Sequence, residues 1–262
     1  MVQAFHDLVR ARGLLRNFVV RDINVRYKGS VLGILWSLLN PLLMMIIYTI
    51  VFSMVVKVKV GSEGNYPIFF LSGFLGWSFF GACLQMGTMS LLQHGSLISK
   101  VYFPREVLPL SIVIASLVNL GISLALFVPV AIYFVGVSWI GMLVLALVIV
   151  SLALFGAGIT MVLSALVVFF RDIEFLLGIL LMAWFFMTPI SYPRTLLDHG
   201  HLRLMLLLNP VEPFVRVFQD VLYHARVPGA GVVAVCVVLG LVSAVAGYAA
   251  FIRLQRNLAE EL

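Results

Sequence analysis

The run VLPLSIVIASLVNLGISLALFVPVAIYFVGVSWIGMLVLALVIVSLALFGAGITMVLSALVVFF, from Val107 to Phe170, contains 64 residues and no Asp, Glu, Lys or Arg. At about 1.5 Å of rise per residue, one helix of this length would reach about 96 Å. The hydrocarbon core of a bilayer is only about 30 Å thick and takes about 20 residues to cross. The run therefore reads as two membrane-crossing helices folded back on each other, with the turn expected at Gly136-Val137-Ser138.

Outward from this run, the chain repeats the pattern. Gly29–Val56 (28 residues), Gly64–Ser99 (36), Phe175–Pro193 (19) and Val227–Ile252 (26) are also free of formal charge. The chain of 262 residues is 63% hydrophobic and 11% charged. A soluble domain has about 45–50% apolar and about 25% charged residues, so a water-soluble globule is excluded. The expected fold class is an all-α integral membrane protein with six transmembrane helices, near 31–56, 66–91, 108–134, 139–169, 175–192 and 231–252.

An even number of spans puts both termini on one side, and the positive-inside rule selects that side. With the termini cytoplasmic, the inner segments hold 11 of the 17 Lys and Arg residues and the outer ones six. The expected orientation is N-in and C-in, with residues 1–30 as a cytoplasmic interface helix, 31–252 as the transmembrane domain and 253–262 as a cytoplasmic tail. The first apolar run starts at Val31, is too long for a signal-peptide core and lacks a cleavage-like end, so no processed leader is expected. Cys83 and Cys236 fall within spans and read as small apolar residues in close contact with neighbours. The net charge of +6 fits topology and anionic lipid better than nucleic acid.

What the spans lack narrows the function. Coupling ions and proton relays need ionisable groups inside the bilayer, and the cores of these spans have none. That argues against a secondary transporter and against an intramembrane enzyme, which would need a general base or a metal ligand there. His199 and His201 stand in the polar turn Leu197-Asp198-His199-Gly200-His201 without clustered carboxylates or Cys, so no metal site is expected. The chain also lacks G-x-x-x-x-G-K-[ST], the sequence that cradles nucleotide phosphates in P-loop proteins. If ATP drives this protein, another polypeptide binds it.

The segments between spans carry most of the polar signal. In residues 1–30, Phe5, Leu8, Val9, Leu15, Phe18 and Val19 recur near helical spacing, with Arg10, Arg12, Arg16 and Arg21 around the rest of the wheel. This amphipathic helix fits the membrane interface, with or without a cytoplasmic partner. In the 93–106 segment, Ser96 is a candidate helix cap and Pro104 a stop. On its residues alone, this segment fits either an ordinary loop or a peg for a protein socket. In the outer 191–230 segment, Val211, Phe214, Val215, Phe218, Val221 and Leu222 follow i, i+3, i+4 spacing, opposite Glu212, Arg216, Gln219 and Asp220. Together with Leu202–Leu208 this reads as a re-entrant helical hairpin between spans 5 and 6 that lines or gates a path, or as a plain interfacial helix. Aromatic residues within the spans, among them Trp36, Tyr48, Phe74 and Trp77, suit interface belts, lipid-facing contact or stacking on sugar rings. Gly29 with Gly33 and Gly240 with Ala244 have the spacing that permits close helix approach.

Several strings together resemble ABC-2 type permeases that export polysaccharides. They are Arg26-Tyr27-Lys28-Gly29-Ser30-Val31-Leu32-Gly33-Ile34-Leu35-Trp36 with Asn40-Pro41, then Phe70-Leu71-Ser72-Gly73-Phe74-Leu75-Gly76-Trp77, Val101-Tyr102-Phe103-Pro104-Arg105-Glu106, Phe170-Arg171-Asp172-Ile173 and Leu208-Asn209-Pro210-Val211-Glu212-Pro213-Phe214. Gly76 stands where many members of that family carry Pro. The likeness is greatest to permeases of O-antigen lipopolysaccharide exporters, with teichoic-acid and capsule exporters as siblings. It implies a homodimer with two separate ATP-binding-cassette subunits, which would hold the ATP and Mg, in a bacterial inner membrane, with no cofactor in this chain and no nucleic-acid partner. It implies coupling to the ATPase through Ser96, Leu97, Ile98, Lys100, Tyr102, Phe103, Arg105 and Glu106. It implies passage of a lipid-linked glycan, undecaprenyl-diphosphate-linked, past Arg26 and Lys28 and along Trp36, Tyr48, Phe74 and Trp77. The periplasmic gate it implies comprises Asn209, Pro210, Pro213, Phe214 and Phe218. The rival expectations are an ABC-2 exporter of another lipid or small molecule, and a passive channel or membrane scaffold.

Overall fold

In hydrocarbon every backbone N–H and C=O must find its partner within the protein, and a helix does this within one segment. The computed structural model describes residues 11–30, 32–57, 65–98, 100, 103–196 and 202–255, and its regular elements among these are all helical. Residues 1–10, Tyr102, His199, His201 and the tail from Arg256 onward lie outside the described residues, as do the expectations placed on them.

Helix α1 spans Arg12–Tyr27. Helix α2, Trp36–Tyr48, is led by a 3-10 turn at Gly33–Leu35 and continues as a π-helix over Thr49–Val55. Then come α3 (Tyr66–Thr88), the short α4 (Ser90–Gln93) and α5 (Gly95–Ile98), and the long α6 (Val107–Phe134) and α7 (Trp139–Phe169). Helix α8 is Ile173–Met187, α9 Leu202–Leu208, α10 Glu212–Leu222 and α11 Ala230–Leu254. Four of these, α3, α6, α7 and α11, are long and apolar enough to cross a membrane. Leu39–Val55 and Ile173–Met187 are apolar but shorter.

The long charge-free run turns at Val135–Ser138. Gly136 takes a positive φ of 82°, a conformation open to glycine without a Cβ penalty. Ser138 then caps α7 by accepting a hydrogen bond from the Gly141 N–H. In α2, Pro41 has no N–H to offer the Ser37 carbonyl four residues back. The Ser123 hydroxyl of α6 donates to that carbonyl instead, at 3.1 Å, so the proline also fastens α2 to α6. The π-helical stretch opens on the β-branched run Thr49-Ile50-Val51.

Helix α8 ends five residues before the expected boundary at 192. Thr188 is extended, as a residue before proline prefers, and Pro189 begins a strap that regains only a 3-10 turn at Arg194–Leu196. Gly29 and Gly33 do not bring helices together. Each has a positive φ and nothing within 4 Å of the position of a Cβ, so both serve the turn between α1 and α2. Gly240 does bring them together: a Cβ there would lie 2.5 Å from the Ser151 carbonyl oxygen of α7. Further along the same seam the Ser243 hydroxyl donates to the Phe155 carbonyl at 2.9 Å, and Gly247 abuts Gly158. Lipid removes the hydrophobic drive between helices, so such van der Waals fit is what holds α7 to α11.

Two clusters form the interior. The larger centres on α3, α7 and α10, with Phe70, Phe80, Phe214 and Phe218 fully buried. The smaller joins Phe18 of α1 to Leu91, Val107, Leu108, Met161, Val168 and Phe251, where α4, α6, α7 and α11 meet. Cys83 and Cys236 are buried and form no disulfide.

Candidate functional site

Between α2, α3 and α8 an open groove of about 490 Å³ runs along the helices. Tyr48, Phe74 and Trp77 line it together, joined by Phe185 and Phe186. Tyr48 stacks on Phe70 with ring centroids 4.6 Å apart, and Phe70 stacks on Phe74 at 5.1 Å. Phe185 meets Tyr48 edge-on at 5.4 Å and Trp77 at 5.8 Å. The rings therefore fix one another's orientation, and edge-to-face and offset pairs of this kind add about 0.5–1.5 kcal/mol each beyond burial.

The same groove carries uncharged polar groups. Asn40 of α2 and Gln85 of α3 are exposed along it, with Ser78 between. An amide facing hydrocarbon without a partner costs several kcal/mol, so this face suits water, glycan or protein rather than lipid tails. Trp36 lies apart, exposed at the first turn of α2 and outside the groove lining. Lys28 is exposed just beyond α1. The side chain of Arg26 lies outside what is described.

At the opposite pole of the sequence expectations, the 93–106 segment sits against α1 and the end of α11. The helix α5 starts at Gly95, its first turn closed by the His94 carbonyl accepting from Leu97 and Ile98. Ser96 therefore lies within the helix rather than capping it, and it is exposed, as is Lys100. Leu97, Ile98 and Phe103 are half-buried on the smaller cluster. Phe103 lies 6.1 Å from the Phe18 ring, and His94 meets that ring edge-on at 5.6 Å. Arg105 donates to the Gln255 carbonyl at 3.1 Å, and Glu106 is buried at the start of α6. Of the expected coupling residues, then, Ser96 and Lys100 face outward, while Arg105 and Glu106 are drawn into the fold. Ser111 of α6 bonds the Asp22 carboxylate of α1 at 2.7 Å, a tie that apolar periodicity alone did not reveal.

The hairpin at the other end is built around Asn209. Its Oδ1 accepts from the Trp184 indole at 2.8 Å and from the Val211 N–H at 3.0 Å, while its Nδ2 donates to the Thr188 hydroxyl at 2.8 Å. The asparagine thus joins the end of α8, the strap and the start of α10. Pro210 lines an apolar hollow beside α8, and Pro213 stands in the first turn of α10. Phe214 stacks on Phe155 of α7 at 5.4 Å. Phe218 seats against Gly76 of α3, where a Cβ would come within 3.2 Å of its ring. These two phenylalanines are anchors within the core.

Tyr66 Oη bonds the Ser191 carbonyl of the strap at 2.7 Å, Gln219 Nε2 the Pro189 carbonyl at 3.0 Å, and Tyr192 Oη reaches back to the Phe186 carbonyl, while Asn209 holds Thr188 just before it. Arg194, on the strap, lies 3.2 Å from Glu212 at the start of α10. Burial pushes the Glu212 carboxyl above its ordinary range, and the neighbouring Arg194 and Arg216 only partly oppose this. Asp220 is raised for the same reason, against the pull of Arg216, His224 and Arg226.

The polar groups of the groove that the sequence reading missed are uncharged. Asn40 and Gln85 sit inside charge-free runs, where a count of formal charge passes over them; a count of amides would have found both.

Residues 14–223 match the family described as ABC-2 type transporter. Among curated proteins, the O-antigen export system permease protein RfbA of Myxococcus xanthus is 35% identical over 232 residues, covering 88% of each chain. Two proteins of the same name from Klebsiella pneumoniae are 30% and 28% identical, each covering 92% of both chains.

Proposed function

The chain belongs to the ABC-2 type transporter family, and from that premise, with O-antigen export named in its relatives, we infer that it is the membrane-spanning permease subunit of an ABC exporter for O-antigen. The observation that carries the reading is the groove between α2, α3 and α8. Stacked rings offer flat apolar faces to the C–H surfaces of sugars, while Asn40, Ser78 and Gln85 offer hydrogen bonds. A long glycan can slide on such a surface without one deep well.

The rest of the proposal follows from this surface. We read six spans, the four long helices plus α2 with its π-helical end and α8. The last two are short for a bilayer, and short apolar helices are accommodated by local thinning or by oligomerisation. Both border the groove, so a homodimer closing there would bury their outward apolar side chains and enclose the path. The termini lie in the cytoplasm and the α9–α10 hairpin at the periplasmic face of the bacterial inner membrane. Each permease docks a separate ATPase, which binds ATP and Mg, on the face bearing Ser96 and Lys100. Arg26 and Lys28 stand where the diphosphate of a glycan linked to undecaprenyl diphosphate would arrive. Asn209, Pro210, Pro213, Phe214 and Phe218 position the outer gate.

The direct test is complementation of a bacterium lacking its O-antigen permease, with and without the co-expressed ATPase. Surface O-antigen is expected only with both chains and ATP. Export that persists without the ATPase, or a permease that never retains it on purification, would overturn the reading.

A further inference from the structure

A second cavity, of about 400 Å³, lies between the strap and the polar face of α10, apart from the groove. Arg194, Glu212, Arg216, Gln219, Asp220 and His224 contribute to its wall. Phe69 and Tyr223, in edge-to-face contact at 5.4 Å, back it with apolar surface. The volume falls within the range of small-molecule sites, about 300–1,000 Å³.

The chemistry of the wall selects a ligand class. Two guanidiniums and two carboxylates share it, so an anion that approaches Arg194 and Arg216 also meets Glu212 and Asp220, and a cation meets the converse. Glu212 is 6% exposed at its side chain, and its Oε1, though 3.2 Å from Arg194 Nη1, takes no hydrogen bond. A buried acceptor left so favours a ligand that donates to it. A ligand whose hydroxyls both donate and accept, and which carries no net charge, satisfies this wall on both counts. The cavity and the groove border the same helix: Phe69 of α3 backs the cavity and Phe74 of α3 lines the groove.

We propose that this cavity is a saccharide subsite that holds a short stretch of the glycan as it leaves the groove. The proposal rests on the export reading above.

The test uses the permease–ATPase complex in lipid nanodiscs and, as probe, the O-polysaccharide freed from its lipid by mild acid and titrated by microscale thermophoresis. Two variants are compared with wild type: Arg216→Gln combined with Asp220→Asn, which removes one charge of each sign, and Thr195→Trp, which fills the cavity mouth. Each is first checked for a single gel-filtration peak with bound ATPase. Binding is expected to weaken about tenfold in both, the equivalent of one hydrogen bond to a charged group, while excess inorganic phosphate leaves wild-type binding unchanged. Unaltered binding in a correctly assembled variant, or displacement of the glycan by phosphate, overturns the subsite. If wild type complements the deletion strain but its glycan binding ignores both variants, the subsite alone fails. If wild type does not complement, the export reading falls and the subsite with it.

Discussion

At Gly158 there is no room for a methyl group, because the backbone of Ser243 occupies the place a Cβ would take. Gly158→Ala must push α11 away from α7, and overpacking of this kind costs about 1–3 kcal/mol. A clear fall in the melting temperature of the detergent-solubilised protein is expected, while Gly121→Ala, at an open position of α6, leaves it unchanged. Asn209 presents the opposite case, where chemistry rather than size is demanding. Asn209→Leu strands the Trp184 indole and the Val211 N–H, at about 1–3 kcal/mol for each buried group left unpaired, while the Thr188 hydroxyl keeps its bond to the Trp184 carbonyl. The expected readout is rapid proteolysis between α8 and α10 under conditions in which wild type resists.

Helix α10 is the element whose environment makes a pH dependence. Glu212 and Asp220 are both raised above their ordinary values by burial, so the folded state binds protons more tightly than the unfolded chain. Stability must then rise as pH falls from neutral through the raised folded values, and level off below the ordinary carboxylate range. Hydrogen exchange in α10, corrected for its intrinsic pH dependence, is expected to slow on mild acidification, and Glu212→Gln with Asp220→Asn flattens the trend. If α5 and Lys100 dock the ATPase, Lys100→Glu is expected to weaken its retention about tenfold, one unit of 1.4 kcal/mol, with no change in melting, because Lys100 is exposed. Arg105→Ala is expected to lower the melting temperature, because it releases the Gln255 carbonyl. How legible these elements were depends on what set them. The α6–α7 turn and the α10 periodicity could be read from the residues, because solvent and bilayer impose them locally. The end of α8 at Met187 could not, because the charge-free run continues through a proline that breaks the helix without altering hydropathy. The burial of Glu106 and the Asp22–Ser111 tie depend on partners 89 residues apart in the latter case, which no local pattern contains.

Across the whole molecule, the exposed apolar side chains of α8 bear on assembly. Phe175, Ile179 and Met182 are 73%, 69% and 67% exposed on the single chain. If α8 closes the dimer, Ile179→Arg is expected to shift the detergent complex to half its mass by light scattering, whereas Val245→Arg on α11, 65% exposed, leaves mass unchanged. Tyr48→Ala and Trp77→Ala, which open the ring stack, are expected to slow export with assembly intact. The smaller core has a mechanical consequence. Phe18 joins α1 to α4, α6, α7 and α11, Asp22 ties the same helix to Ser111, and Arg105 clamps the end of α11. Helix α1 is thus fastened at several points, so a force applied near the exposed Lys100 is carried to α4, α6, α7 and α11 together, as by a lever.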